Sequence, residues 1–199
     1  MRYRRLGGRL DHVKLDLLDH VIRLSWMLIM TVWLALASES NEPIELKRGR
    51  HLDVAVWIVS IGWVILLLPR FNGPQLIPRM MLIKIIGSVL TITGLAFALW
   101  ARFYLGSNWD AFISLKLNHK LVRTGPYAVV RHPIYSGFMI ALVGSFINFG
   151  HLRSLIAATM VIAAWVYKAG VEETFMRDHF QMEYDQYCHE VKRLIPKIW

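Results

Sequence analysis

Cysteine occurs once in this chain, at Cys188, which excludes an internal disulfide and any cysteine-built metal cluster. The eight histidines form no HExxH pair and no clustered boxes, so a zinc protease or a membrane di-iron oxygenase lacks its ligands and no metal site is expected. Neither GxGxxG nor GxxxxGKS/T occurs. Any nucleotide-like cofactor must therefore bind without a Rossmann or P-loop cradle. Internal repeats and low-complexity linkers are absent as well, which excludes a solenoid. Acidic residues are missing from the apolar runs, and the one cation inside a run, Lys84, lies near its end, where a lysine is expected to snorkel to the interface. A proton relay or ion path is poorly supported.

What the chain has is apolar length. It is 55% hydrophobic over 199 residues with a mean hydropathy of +0.40, too greasy for a soluble domain of this size and too short for several domains. It reads as an all-α polytopic membrane protein forming a single integral membrane domain over 1–199, with N-terminal spans in 1–81 and a core in 82–199. The net charge of +9 suggests nucleic acid in a soluble protein, but lysine and arginine gather on cytoplasmic loops in a membrane protein, so no nucleic-acid partner is expected.

Five apolar runs stand out: Leu24 to Ala37, Val54 to Leu68, Leu82 to Trp100, Ile134 to Phe149 and Leu155 to Tyr167. Several are shorter than the roughly 20 residues that cross hydrocarbon as a helix, and flanking Val21, Ile22, Leu152 and Val171 extend them. Asp11, Asp16 and Asp19 before the first run count against a cleaved signal peptide. With five spans, the loop 38–53, the loop 101–133 and the tail share one side and carry 13 of the 23 basic residues. The positive-inside tendency puts that side in the cytoplasm, against the pull of Arg2, Arg4, Arg5 and Arg9. Small residues recur in the last two spans, Gly137, Ala141 and Gly144 in one and Ala157, Ala158, Ala163 and Ala164 in the other. Such residues let membrane helices approach closely, so spans four and five are expected to form a tight antiparallel hairpin across Gly150 to Arg153.

Two polar segments carry the candidate chemistry. In "GPYAVVRHPIYSG", Gly125-Pro126 signals a turn, and Pro133 opens the fourth span while holding His132 extended at the helix start. Free N–H groups at such a start attract a carboxylate. The plain alternative makes Arg131 and His132 headgroup anchors within an aromatic belt of Tyr127 and Tyr135. The tail from Lys168 carries Glu172 and Glu173 and sets Phe180, Tyr184, Tyr187 and Val191 at helical spacings, predicting a cytoplasmic amphipathic helix that continues the fifth span. Phe180 and Val191 are expected to pack. Lys168 and Glu172, four apart, are an exposed ion pair in the plain reading. The hairpin, however, returns them to the side of Arg131 and His132, where convergent charges make a site.

Taken together, "RFYLGSNW", "HKLVRTGPYAVVRHPIYSG" and "EETFMRDHFQMEYDQYCHEVKRLIP" resemble the isoprenylcysteine carboxyl methyltransferase family and its prokaryotic relatives, over roughly half the chain from residue 100 to 196. The resemblance implies a membrane enzyme that uses S-adenosyl-L-methionine as methyl donor and takes a lipophilic or prenylated substrate from the bilayer, in a bacterial or archaeal cell membrane with the active site facing the cytoplasm. By position it places His119, Lys120, Leu121, Val122, Tyr127, His132, Pro133, Ile134, Tyr135 and Glu172 at the cofactor. It puts Lys168 where the family has a substrate-linked arginine, Gln181 where a glycine is usual and Lys192 where a proline is common. Lysine keeps the charge but loses the fork that suits a carboxylate. Arg102 and Arg131 are candidates to position an anionic substrate, and Glu173, one residue round the helix from Glu172, is expected to matter less. An NADPH-dependent reductase of sterol-reductase type, or a non-catalytic membrane module, are the competing readings.

Overall fold

The computed structural model describes residues 2–37, 43–47, 50–68, 73–110, 113–116 and 121–199. Five helices carry the fold: α1 (Arg2–Ala37), α2 (Arg50–Leu67), α3 (Met81–Leu105), α4 (Pro133–Phe149) and α5 (Leu152–Glu190). Every expected span falls on one of them. Val13–Leu36 within α1, together with α3 and α5, is long and apolar enough to cross a membrane, while α2 and α4 are shorter apolar helices. The all-α architecture carries one small addition that the sequence pattern did not predict: an antiparallel ribbon of β1 (Pro43–Lys47) and β2 (Ile113–Lys116). The ribbon ties together the two loops that a five-span chain puts on one side.

The small residues of α4 serve a different partner from the expected one. The helix does turn back into α5 after Gly150, whose left-handed φ of 68° closes α4 by donating its N–H to the Phe146 carbonyl. Its glycine face, however, meets α3. A Cβ on Gly94 would lie 2.5 Å from the Gly137 carbonyl oxygen, and one on Gly144 would lie 2.5 Å from the Thr91 nitrogen. The backbones touch, which is how membrane helices gain contact when apolar burial supplies no drive between them. Polar atoms pin the register: Thr91 Oγ1 reaches the Ala141 carbonyl at 3.3 Å, and Asn148 Nδ2 donates to Ser88 Oγ at 2.8 Å. The small face of α5 goes to α2, where Gly62 sits against Val161 and Ala157. Trp26, Trp63, Phe138 and Trp165 fill the centre as an aromatic cluster, with Trp26 donating to Ser145 at 2.9 Å.

Lys84 does not snorkel. It is 1% exposed and pairs with Asp19 of α1, whose other oxygen accepts from Arg79 at 3.2 Å. A buried ammonium needs a carboxylate more than it needs the interface, and α1 extends far enough upstream of its apolar run to supply one. At the opposite end of the bundle Arg102, also buried, clamps α3 to α1 by donating to Gly106 and Leu36 carbonyls at 2.9 and 2.6 Å. Helix α5 is two helical segments joined across a non-helical Gln181, where φ is 46° and ψ is −122°. The first, 152–180, rises about 43 Å, more than the roughly 30 Å of hydrocarbon, and the amphipathic tail follows the break.

Candidate functional site

The site forms where α3 ends, α4 begins and α5 leaves the bundle. Gly106 takes a positive φ of 57° after Leu105 and turns the chain into a short 3₁₀ turn, Gly106–Asn108, which delivers Trp109 and Asp110. Gly125, at φ 59°, lies so close to Tyr104 that a Cβ would meet its ring at 2.5 Å. Only glycine fits this turn. The 3₁₀ turn Gly125–Ala128 then presents Tyr127, and Pro133 starts α4 with His132 as its N-cap. The end of the chain straps this start in place: Arg131 and His132 N–H groups donate to the Lys192 and Arg193 carbonyls at 2.8 and 3.1 Å. Ser136 Oγ donates to the Leu194 carbonyl at 2.7 Å, and Tyr187 OH to the Tyr127 carbonyl at 2.5 Å.

A cavity open to solvent at its mouth lies among these elements. Leu121, Val122, Tyr127, His132, Pro133, Ile134, Tyr135 and Glu172 all line it, together with Arg131. His119 and Lys120 lie outside the described residues. Lys168 stands just behind the wall, with Nζ 3.8 Å from Glu172 Oε1 and 5.9 Å above the Tyr135 ring. Arg102 is not in the lining; its guanidinium stacks over Trp109, which is, at 4.4 Å.

Several lining residues carried no assignment from the motifs: Asn108, Trp109, Asp110, Met176, Tyr184 and Tyr187. Met176 is one helical turn beyond Glu172, a spacing that would have found it. Asn108 and Trp109 close the segment "RFYLGSNW" that carries part of the resemblance, which gave them no role of their own, and Asp110 follows directly.

The two neighbouring glutamates do different work. Glu172 Oε1 accepts from Tyr135 OH at 2.6 Å while Oε2 faces His132 Nδ1 at 3.4 Å, and the side chain stays 19% exposed, within reach of a ligand. Glu173 is wholly buried. Arg131 grips its Oε1 through Nε and Nη2 at 2.9 and 2.7 Å, and Arg193 grips Oε2 at 2.5 Å. Arg131 also donates to the Cys188 carbonyl at 3.2 Å and to the Val191 carbonyl. Arg131 therefore lines the cavity but spends its fork on Glu173 and the strap. The ring of His132 bridges the two carboxylates: burial alone would lower its pKa, but the adjacent Glu172 and Glu173 raise it above the usual histidine value. Burial, followed by the Glu172 charge, likewise pushes the Tyr127 phenol up, so Tyr127 acts as a neutral wall.

The sequence model of the phospholipid methyltransferase family matches residues 82–183, just over half of the chain, from the start of α3 into the tail helix. The chain belongs to that family. Family membership thus covers all of α3, upstream of where the motifs begin. Among curated proteins, a probable protein-S-isoprenylcysteine O-methyltransferase of Oryza sativa subsp. indica is 32% identical over 119 residues, 58% of this chain and 62% of the rice protein. The chain thus spans about three-fifths of the length of that relative. The cobalt-zinc-cadmium resistance protein CzcN of Cupriavidus metallidurans is 27% identical over 173 residues, 79% of this chain and 72% of CzcN. The solved structure of the eukaryotic intramembrane Ras methyltransferase, isoprenylcysteine carboxyl methyltransferase, superposes with a TM-score of 0.60 at 22% identity, covering 91% of this chain and 68% of that one. This likeness is one of fold.

Proposed function

We propose that the chain is a membrane methyltransferase that binds S-adenosylmethionine in the cavity and methylates a lipophilic acceptor arriving from the bilayer. The observation that carries this reading is Glu172. Its carboxylate is oriented by Tyr135 and reachable from a cavity whose walls include Val122, Tyr127, Ile134 and Met176. An acid flanked by apolar and aromatic walls suits a ligand with an ammonium, hydroxyls and an adenine. When bound, S-adenosylmethionine supplies an electrophilic methyl group on a sulfonium.

The protein's share is placement and exclusion of water. Glu172 holds the donor's polar end, and the strapped His132-Pro133 start of α4 fixes the wall against it. Lys168, beside Glu172, presents a positive charge to an anionic acceptor, for which an isoprenylcysteine-like carboxylate is the first candidate. A carboxylate acceptor needs no general base; an amine or thiol would, and His132 between its two carboxylates is the group placed to serve. The basic loops around the site support a cytoplasmic mouth. The test is calorimetric titration of the detergent-purified chain with S-adenosylhomocysteine and, separately, NADPH. Micromolar binding of the first, about 8 kcal/mol, is expected, with none of the second. A chain whose melting temperature neither S-adenosyl ligand raises at millimolar concentration is not this enzyme, and binding of NADPH alone would make it a reductase.

A further inference from the structure

A second cluster of charge lies at the other end of the bundle, and the proposed methyl transfer makes no use of it. Arg153, in the first turn of α5, is 7% exposed, yet none of its three guanidinium nitrogens has a hydrogen-bond partner among the described residues. Arg23 of α1 lies within electrostatic reach of it. That guanidinium is laid over the Phe149 ring at 5.3 Å, with its own Nε unpartnered among the described residues. His151, the N-cap of α5, has an unpartnered Nδ1 on the same basis. The carboxylates at this end of α1 are already engaged: Asp16 accepts from Arg79 at 2.7 Å, and Asp19 pairs with Lys84 and Arg79. Among the described residues, four cations, Arg79, Lys84, Arg23 and Arg153, thus share two carboxylates, and the neighbouring Arg23 and Arg153 are the pair left without one.

Burying a guanidinium without an acceptor costs several kcal/mol, and two such groups side by side repel. The arrangement is stable once an oxyanion lies between them. A fork of planar N–H donors matches phosphate oxygens, and the N-terminal end of α5 adds its positive dipole. The turn is closed over on one side by the segment 73–77, whose Leu76 and Ile77 N–H groups both donate to the Gly150 carbonyl, at 2.6 and 3.1 Å. From Arg153 to Glu172 the helix rises by about 30 Å, the thickness of the hydrocarbon layer. The cluster thus sits at the headgroup level of the leaflet opposite the cavity.

We propose that Arg153, Arg23 and His151 form a binding site for a phosphate group at this membrane surface. A phospholipid headgroup and free inorganic phosphate present the same chemistry, and the experiment separates them. Full-length protein is melted in neutral detergent with inorganic phosphate against chloride at matched ionic strength. In parallel it is analysed by native mass spectrometry after exposure to phosphatidylglycerol or to a neutral glycolipid.

Stabilisation by inorganic phosphate identifies a soluble anion; retention of phosphatidylglycerol but not of the glycolipid identifies a lipid. In either case Arg153→Met weakens the response at least about tenfold while Arg153→Lys keeps part of it. Without ligand, Arg153→Met melts no lower than the parent, because an uncompensated buried cation has gone. Arg23→Gln, at a less buried position, gives the same loss of response should Arg153→Met fail to fold by circular dichroism. An equal response in Arg153→Met and parent, or none to either probe, overturns the site.

Discussion

Arg131, from the cavity wall, meets the buried Glu173, with Nε and Nη2 of the guanidinium converging on a single carboxylate oxygen while Arg193 holds the other oxygen. The consequence is a division of labour between adjacent glutamates. Glu173 joins three segments, the loop before α4, helix α5 and the C-terminal strap, and it does so without solvent. Glu173→Gln leaves two arginines facing a neutral amide, and breaking a buried pair in this way costs about 3 kcal/mol or more. Its melting temperature is expected to fall sharply. Glu172→Gln leaves the fold intact but weakens S-adenosylhomocysteine binding by about 1.5 to 3 kcal/mol. Thermal unfolding and calorimetry on both variants check the contrast, and equal effects in both measurements would remove it.

This division shows what a sequence can and cannot display. The resemblance of the tail motif points to Glu172, with Lys168 four residues before it and the helix start at Pro133 as the local signs beside it. Glu173 was expected to matter less, since its partners lie 42 and 20 residues away and no period links them. The same holds for Lys84 and Asp19, 65 apart: a lone lysine in an apolar run says nothing about which helix will neutralise it. Small residues announce a close approach but not the partner, so Gly137 and Gly144 pointed to α5 on grounds of chain proximity while the backbone fit belongs to α3. The ribbon of β1 and β2 escaped notice because two strands of four or five residues inside polar loops carry too little alternation.

Gln181 occupies the φ/ψ region of the first central residue of a type II′ turn, which glycine populates and side chains avoid. Backbone strain of that kind costs of order 1 to 3 kcal/mol, whereas a glycine adds about 0.5 to 1 kcal/mol of unfolded-state entropy. Strain wins. Gln181→Gly is expected to raise the stability by about 1 kcal/mol, and Gln181→Ala to leave it unchanged. A chemical or thermal melt of the three proteins decides, and a glycine variant that is no more stable than the parent would show that the kink is relaxed.

His132 faces Glu172 at 3.4 Å through Nδ1 and Glu173 at 3.4 Å through Nε2, with the cations Lys168 and Arg131 beyond those carboxylates. Burial works against protonation, but the carboxylates prevail and the folded pKa stands above the unfolded value. The sign follows: the stabilisation is fully present below the unfolded pKa of about 6.5 and is lost as pH rises through the folded pKa. Without ligand the melting temperature should therefore decline above about pH 6.5, with a slope of at most about 1.4 kcal/mol per pH unit for one proton. His132→Asn should flatten that decline. An unchanged pH profile in the variant would assign the dependence to another group.

Lys168 offers a test of the proposed acceptor's polarity. Its ammonium is 3.8 Å from Glu172 Oε1 and 5.9 Å from the Tyr135 ring centre, so it adjoins Glu172 without being part of the cavity lining. If it draws an anionic acceptor to the site, Lys168→Met loses kcat/KM for the acceptor by tenfold or more, while S-adenosylhomocysteine affinity stays within about tenfold, 1.4 kcal/mol. Lys168→Arg then keeps or improves the rate with a carboxylate, because the guanidinium fork fits two oxygens and the ammonium fits one. Prenylated cysteine analogues are the acceptors to assay first, with an amine-headed lipid beside them. Should Lys168→Met methylate at the parental rate, the lysine is a headgroup anchor and the acceptor carries no negative charge. An amine or thiol then becomes the nucleophile, His132 its base, and the rate should fall with pH below the histidine pKa.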